Sequence, residues 1–578
     1  MTAEEFLLTS CLPKTQDTKN MQNLMNGSTH AKKKFSGLAS SKSQQTARFS
    51  GAKKPEGKHD QQIAKLKKVL QAGKTLPEWE RLNTLGAIAA LESRLPEAEQ
   101  FLLQAIRIPE CSIEAFKTLA ALYLQLGKPK EAMRHARKVY EANPDDRSNG
   151  IVYINCLLDI QDCAKVIELC DQYLEVDPKN KQLHLAKASG LKGAGKKMEA
   201  FLYLDEVEKK FPGDVTVLRL QADIVAEHDS IAGIKIYDHA LEKSIKSKGD
   251  AEVALKWNMA LHLLRAREFD RGWEYWELGF RKEIGTMGRN LPNVIRSSVR
   301  ADKSEKIDKE KWTLVCAEQG IGDQILFLSA MDQLVDEFGK VILACEPRMA
   351  SIMKRSFPDV TVVNPGVLEA WPRTHLPNNG FIPLGSVLPR YRPDLESFVS
   401  NRKNFIQADG DRYYKHHTQL RKLANGRPIV GISWKGGFWE AQVRTKALEI
   451  EHWLPIFESG ALCVNLQYGD TSKEQAYIRE LGYDMVSFND LNFKNDLEDW
   501  LAISAACDGI ISVSTALVHF AGACGQKVAI VMPEPQGPWI LGLKEDWSIV
   551  YPEVGIFRRN HNEPIRDLVN RIAKVVVQ

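Results

Sequence analysis

Between Phe116 and Pro212 the sequence returns on itself every 34 residues, and a period of that length leaves few folds open. Pro144, Pro178 and Pro212 mark the repeat, each closing a unit long enough for two helices. In the unit from Ser112 to Pro144, small Ala120, Ala132 and Ala136 are interleaved with large Phe116, Leu119, Tyr123 and Val139. Small residues let two helices cross closely, and large ones fill the gaps between neighbouring hairpins. Each unit can then bury its apolar face only by stacking on the next.

These positions resemble those of tetratricopeptide repeats, which implies an array that grips another protein. A first repeat-like unit carries Gly86, Ala98 and Ala105, with its Pro109 one residue early. After Pro212 the register weakens: Ala222 fits, whereas Ala232 and Ala240 lose the spacing. A last helical pair at 257–281 ends in the aromatic cluster Trp273, Tyr275 and Trp276, read as core and as the cap of the stack. The repeat region is therefore expected over residues 59–282.

A chain of 578 residues exceeds one hydrophobic core. With 78 basic against 74 acidic residues it lacks the electrostatic footprint of a nucleic-acid binder. It holds no apolar run of about 18 residues, so no membrane span is expected. The first residues show no basic leader, and the ten cysteines form no C-x-x-C pair. These features fit a reduced cytoplasm. Residues 1–58, rich in Ser, Lys, Gln and Thr, read as a disordered basic tail, and the polar stretch 283–310 as a linker.

Beyond the linker the texture changes to short apolar runs separated by helical stretches. WTLVCAEQ (312–319), KVILACEP (340–347) and VTVVNP (360–365) form one series. PIVGISWKGG from Pro428, ALCVNLQYG (461–469), GIISVS (509–514) and KVAIVMPEP (527–535) form a second. Strands alternating with helices predict two Rossmann-like domains with parallel sheets, over 311–425 and 426–578. The amphipathic segment 565–577 is expected to pack back on one of them.

Ligands of such sheets bind where strands end and helices begin. Four of these turns carry unusual residues. Glu318 to Gln324 includes Gly320, Gly322 and Asp323; the glycines permit close backbone approach, and Asp323 is either a helix cap or a functional acid. Ser433-Trp434-Lys435-Gly436-Gly437 precedes Arg444 and Lys446, cations suited to a diphosphate. Gln467 to Asp470 follows a buried strand. Ser512 to His519 ends a strand in small hydroxyls and opens a helix, a pattern suited to an anion. His519 faces either the cleft or the core.

The turns, in this order, resemble bacterial glycosyltransferases that join tetratricopeptide repeats to a domain like the lipopolysaccharide heptosyltransferases. The likeness rests on GWEYWELGFR (272–281), EQGIGDQILF (318–327), PLGSVLP (383–389), GISWKGG (431–437) and ISVSTALVHFAGACGQKVAIVMP (511–533). It implies a GT-B pair of Rossmann-like domains, a nucleotide sugar as co-substrate, and no metal or resident cofactor. It also implies roles. Asp323 matches the general base that takes the proton of an acceptor hydroxyl, on a loop with Gly320, Gly322 and Gln324. Lys446 and Arg444 match the cations at the donor's phosphates. Thr515, Ala516, Leu517 and His519 match the phosphate-binding helix start, with Ser514 beside them on the donor side. Trp434, Lys435 and Gln467 complete the expected donor side.

Two positions depart from the family pattern. Ser514 stands where Asp usually precedes the threonine, and Asp499-Trp500 where Asp-Thr is usual. The first leaves the donor sugar open. The expected activity is transfer of a sugar to Ser/Thr hydroxyls of a protein held by the repeats, with flagellin as the acceptor the resemblance favours. Transfer to lipopolysaccharide or polysaccharide, and a non-enzymatic scaffold with a decayed transferase domain, remain the alternatives.

Overall fold

The computed structural model describes residues 58–71, 76–92, 94–247, 251–281, 288–289, 291, 300–303, 307–370, 379–436, 447–534 and 537–577. The tail expected over 1–58 thus lies outside the described residues except for Lys58. The chain divides into two compact units between Lys210 and Phe211.

The first unit is helical. Its helices are α1 (Lys58–Gln71), α2 (Glu78–Leu91), α3 (Leu95–Ala105), α4 (Ile113–Gln125), α5 (Pro129–Ala142), α6 (Arg147–Asp159), α7 (Cys163–Val176), α8 (Lys181–Gly193) and α9 (Lys197–Lys210). The 34-residue period has a local cause besides packing. Ser112, Asp146 and Asn180 recur at that spacing as the N-caps of α4, α6 and α8, each accepting a hydrogen bond from a first-turn backbone N–H. Pro144 and Pro178 each sit two residues ahead of a cap, where they stop the preceding helix. Small apolar cores lie within and between neighbouring hairpins: Ala120, Ala132 and Ala136 with Leu102 and Cys156 in one, Val166, Leu169 and Leu183 in the next. This is tetratricopeptide packing, in which stability is built from nearest neighbours.

The second unit opens with four more helices, α10 (Val215–Ala226), α11 (Ser230–Ser247), α12 (Ala251–Arg265) and α13 (Phe269–Trp276). Asp214 caps α10 and continues the 34-residue spacing past Pro212. The alanine register fails after Ala222 because Gly233 takes the close approach. A Cβ on Gly233 would lie 2.3 Å from that of Ala226.

The α/β part follows. Its elements are β1 (Thr313–Cys316), α14 (Ile321–Phe327), α15 (Met331–Phe338), β2 (Val341–Ala344), α16 (Ala350–Ser356), β3 (Val360–Val363), α17 (Pro365–Ala370), β4 (Phe381–Pro383), α18 (Val387–Tyr391), α19 (Leu395–Val399) and α20 (Gly410–Ala424). The second series is β5 (Ile429–Ser433), α21 (Leu454–Glu458), β6 (Leu462–Asn465), α22 (Ser472–Glu480), β7 (Met485–Val486), α23 (Leu497–Ala505), β8 (Gly509–Val513), α24 (Ala516–Ala523), β9 (Val528–Met532), β10 (Val554–Arg558) and α25 (Ile565–Val576). All strand pairs within the sheets are parallel, in the orders β3-β2-β1-β4 and β10-β9-β8-β5-β6-β7. The two-domain α/β architecture read from the sequence is present. β4, β7 and β10 had no place in that reading.

Amphipathic α25 packs on the second sheet, where Leu568, Val569, Ile572 and Ala573 join its core. The last repeat helices are embedded in the α/β part. Trp273 and Trp276 share one continuous core with Phe327, Phe398 and Trp539. Their indole N–H groups donate to Arg392 O and Gly385 O, each at 2.8 Å.

Candidate functional site

The chain runs outward from β1 to β3 and returns on the other side of β1 as β4; it runs from β5 to β7 and returns beside β5 as β8. Each reversal opens a crevice at the carboxyl ends of the strands. Helix α14 starts just past β1, α24 starts just past β8, and the two meet. A Cβ placed on Gly322 would lie 3.0 Å from His519 Cδ2 and 3.4 Å from Ala516 Cα. Only a residue without a side chain lets the helices come this close, which is the demand behind the second glycine of the EQGIGD turn.

Asp323 is exposed in the first turn of α14, after Gln319 in the left-handed region (φ +66°) and Gly320 in extended backbone. Gln324 is buried, and its amide nitrogen donates to Gln319 O at 3.1 Å; it braces this turn. Opposite, half-buried His519 places Nδ1 2.9 Å from the hydroxyl of Tyr551. Burial holds the Tyr551 phenol well above its ordinary value of 10, and the negative charge of Asp323 adds to the effect. An acid from one sheet's turn, a histidine from the other's helix and a protonated phenol therefore converge at the junction.

Thr515 is the N-cap of α24, and its side chain forms no capping bond to the helix. Its hydroxyl lies 3.4 Å from that of Ser512, which itself donates to Val513 O. The positive end of α24 thus faces the crevice without a side-chain cap, an arrangement that favours negative charge. Ser514 and Ala516 are half-buried beside it, whereas Leu517 is fully buried in the core. Gly436 closes the β5 turn on this helix start: a Cβ there would fall 2.6 Å from Thr515 Cγ2.

The rest of the expected donor side is placed differently. Gln467 is buried, and its side-chain oxygen accepts from Ser433 Oγ and from the backbone N–H groups of Trp434 and Lys435 at 2.9–3.1 Å. Its amide nitrogen donates to Tyr468 O. Gln467 ties the β5 and β6 ends together, with its polar atoms spent on the protein. The Trp434 side chain points into the second core, 1% exposed. Lys435 pairs with Glu474 at 2.8 Å; burial pushes that carboxyl up, and the ammonium outweighs it, leaving the group below its ordinary value. Arg444 and Lys446 lie outside the described residues.

A buried ion network at the first switch point had no signal in the sequence beyond isolated charges among apolar residues. Glu318, at the end of β1, accepts from Gly385 N at 3.0 Å and is gripped by Arg289, both side chains being inaccessible. Arg289 also meets Glu277 and Ser386 at 2.9 Å, and Arg300 reaches Glu277 at 2.8 Å. The stretch read as a linker thus supplies two arginines that join three of the family-like motifs. The GWEYWELGFR, EQGIGD and PLGS segments are the three sides of this network.

The Asp499-Trp500 departure also has a structural use. Asp499 accepts from His416 Nε2 at 2.7 Å and pairs with Arg412, fixing α20 on α23, while the Trp500 indole donates to Leu466 O. Among the described residues no three His, Cys, Asp or Glu side chains gather as a metal site, and no helix is long and apolar enough to cross a membrane.

No family model matches the chain. It is similar to Protein FlbA of Caulobacter vibrioides, 26% identical over 437 residues that cover 71% of this chain and 70% of that protein. Among solved structures it is similar to a tetratricopeptide repeat protein from Parabacteroides merdae, at 19% identity and a TM-score of 0.32, over 39% of this chain and 88% of that one. It is also similar to the E. coli ADP-heptose lps heptosyltransferase II, at 12% identity and a TM-score of 0.31, over 46% of this chain and 99% of that one.

Proposed function

We propose that the protein is a glycosyltransferase whose repeats select a protein acceptor. A sugar passes from a nucleotide sugar to a Ser or Thr hydroxyl of that acceptor. The observation that carries this reading is the junction of α14 and α24, which sets an exposed carboxylate on one switch-point turn against an anion-favouring helix start on the other. In this reading Asp323 removes the acceptor's hydroxyl proton as it attacks the anomeric carbon. The start of α24, at Ser514, Thr515 and Ala516, takes the donor's phosphates, with Lys446 and Arg444 as the cations that stabilise the leaving nucleotide. The acceptor is flagellin, met in the cytoplasm before export, as the motif-level likeness favours.

One observation favours a second reading, a binding scaffold. Gln467, Trp434 and Lys435 engage the protein itself, so less of the donor side is free than the family pattern implies. Thermal shift with UDP-, GDP-, ADP- and CMP-sugars separates the two. The transferase reading expects at least one to raise the midpoint by mass action. No shift with any of them supports the scaffold.

A further inference from the structure

Tyr551 belongs to none of the motifs, yet its hydroxyl is the group that His519 meets behind the junction. The phenol is 2% exposed and rigidly mounted. Its backbone N–H donates to Ser548 Oγ at 3.1 Å, its carbonyl accepts from Arg402, and its ring lies against Phe405 and Gly522. The hydroxyl lies 2.9 Å from His519 Nδ1, and the two rings meet edge to face. The other ring nitrogen, Nε2, lies 3.6 Å from the Cβ position of Gly322, the residue that precedes Asp323.

The geometry points to Tyr551 as a positioning residue for the cleft: its O–H donates to Nδ1 of His519 and so fixes the neutral ring as the tautomer protonated at Nε2, aimed across the junction at the Asp323 turn. A neutral imidazole has one donor and one acceptor nitrogen, and the partner of one decides the role of the other. A phenol that keeps its proton can donate it to Nδ1, and the neutral ring then carries its own proton on Nε2. Nε2–H is then presented where the general base and the donor's phosphates come together, which rests on the transferase reading above. The side that binds the donor thereby orients its own histidine toward the turn that carries the general base.

The test uses the full chain labelled with 15N at the histidine ring nitrogens, with the His519 signals assigned through His519→Gln. The native ring should show the pattern of a neutral imidazole protonated at Nε2. In Tyr551→Phe that pattern should give way to a mixture of tautomers while circular dichroism stays native. A native ring protonated at Nδ1, or a signal unchanged in Tyr551→Phe, would overturn the proposal. Turnover supplies the second readout. Tyr551→Phe should lower kcat by about tenfold or more, by analogy with the cost of removing the partner that orients a metal-binding histidine, with KM for the nucleotide sugar unchanged. A change in KM alone would place the phenol in donor binding and count against it. If the native chain transfers nothing, the transferase reading fails, and the nitrogen signals still decide how His519 is held.

Discussion

Gln467 shows how a residue expected to face a ligand becomes part of the frame that faces it. Three donors, two of them backbone N–H groups, converge on its side-chain oxygen. Gln467→Ala leaves them without a partner in a buried turn, at about 1–3 kcal/mol for each group that water cannot reach. Urea denaturation should show a loss of that order; a midpoint equal to the native one would mean that water replaces the amide. Glu277 makes a second residue-scale prediction. Burial raises its carboxyl, but Arg289, Arg300 and Ser386 outweigh burial and leave it below its ordinary 4.5. A group lowered on folding contributes stability above the unfolded value and loses it as pH falls through the folded one. Thermal midpoints should therefore decline below about pH 4.5, and the decline should be shallower in Glu277→Gln. An identical slope in the variant would remove Glu277 from the account.

At the scale of elements, the cleft depends on how closely α14 and α24 approach. Gly322→Ala drives a methyl group to within 3.0 Å of the His519 ring. Overpacking of this kind costs about 1–3 kcal/mol and should also reduce transfer, because it pushes the histidine off the junction. Native turnover in the variant would mean the helices separate freely. The elements themselves were largely legible from the sequence. The 34-residue period fixed the hairpins, since caps and packing residues obey the same spacing, and long apolar strands such as Val528–Met532 announced themselves. β4 spans only Phe381–Pro383 and β7 only Met485–Val486, too short for any alternation to show. At the candidate site, the turns of Asp323 and Thr515 stood out because turn chemistry is local. Arg289, Glu318 and Tyr551 did not, because their meaning comes from partners 12 to 97 positions away.

At the scale of the molecule, the repeat region does not end where the solenoid pattern ends. Helices α10 to α13 belong to the same compact unit as the two sheets, and Trp273, Trp276 and Arg267 bind them to both: Trp276 at the β4 turn, Arg267 to Glu545 at 2.5 Å. A fragment of residues 211–578 should fold cooperatively, whereas one of 311–578, stripped of the aromatic pair and of Arg289, should aggregate or melt without a sharp transition. Equal cooperativity in both would show the helices to be an appendage. At this scale the α14–α24 junction is proposed to transfer a sugar to a protein. The most direct measurement is the intact mass of flagellin from cells that lack this chain and are complemented with the native or the Asp323→Ala form. Native complementation should restore a mass increment equal to one or more sugars, and the Asp323→Ala form should leave flagellin at its unmodified mass. An increment restored by Asp323→Ala, or a flagellin mass that never depends on the chain, would contradict the account.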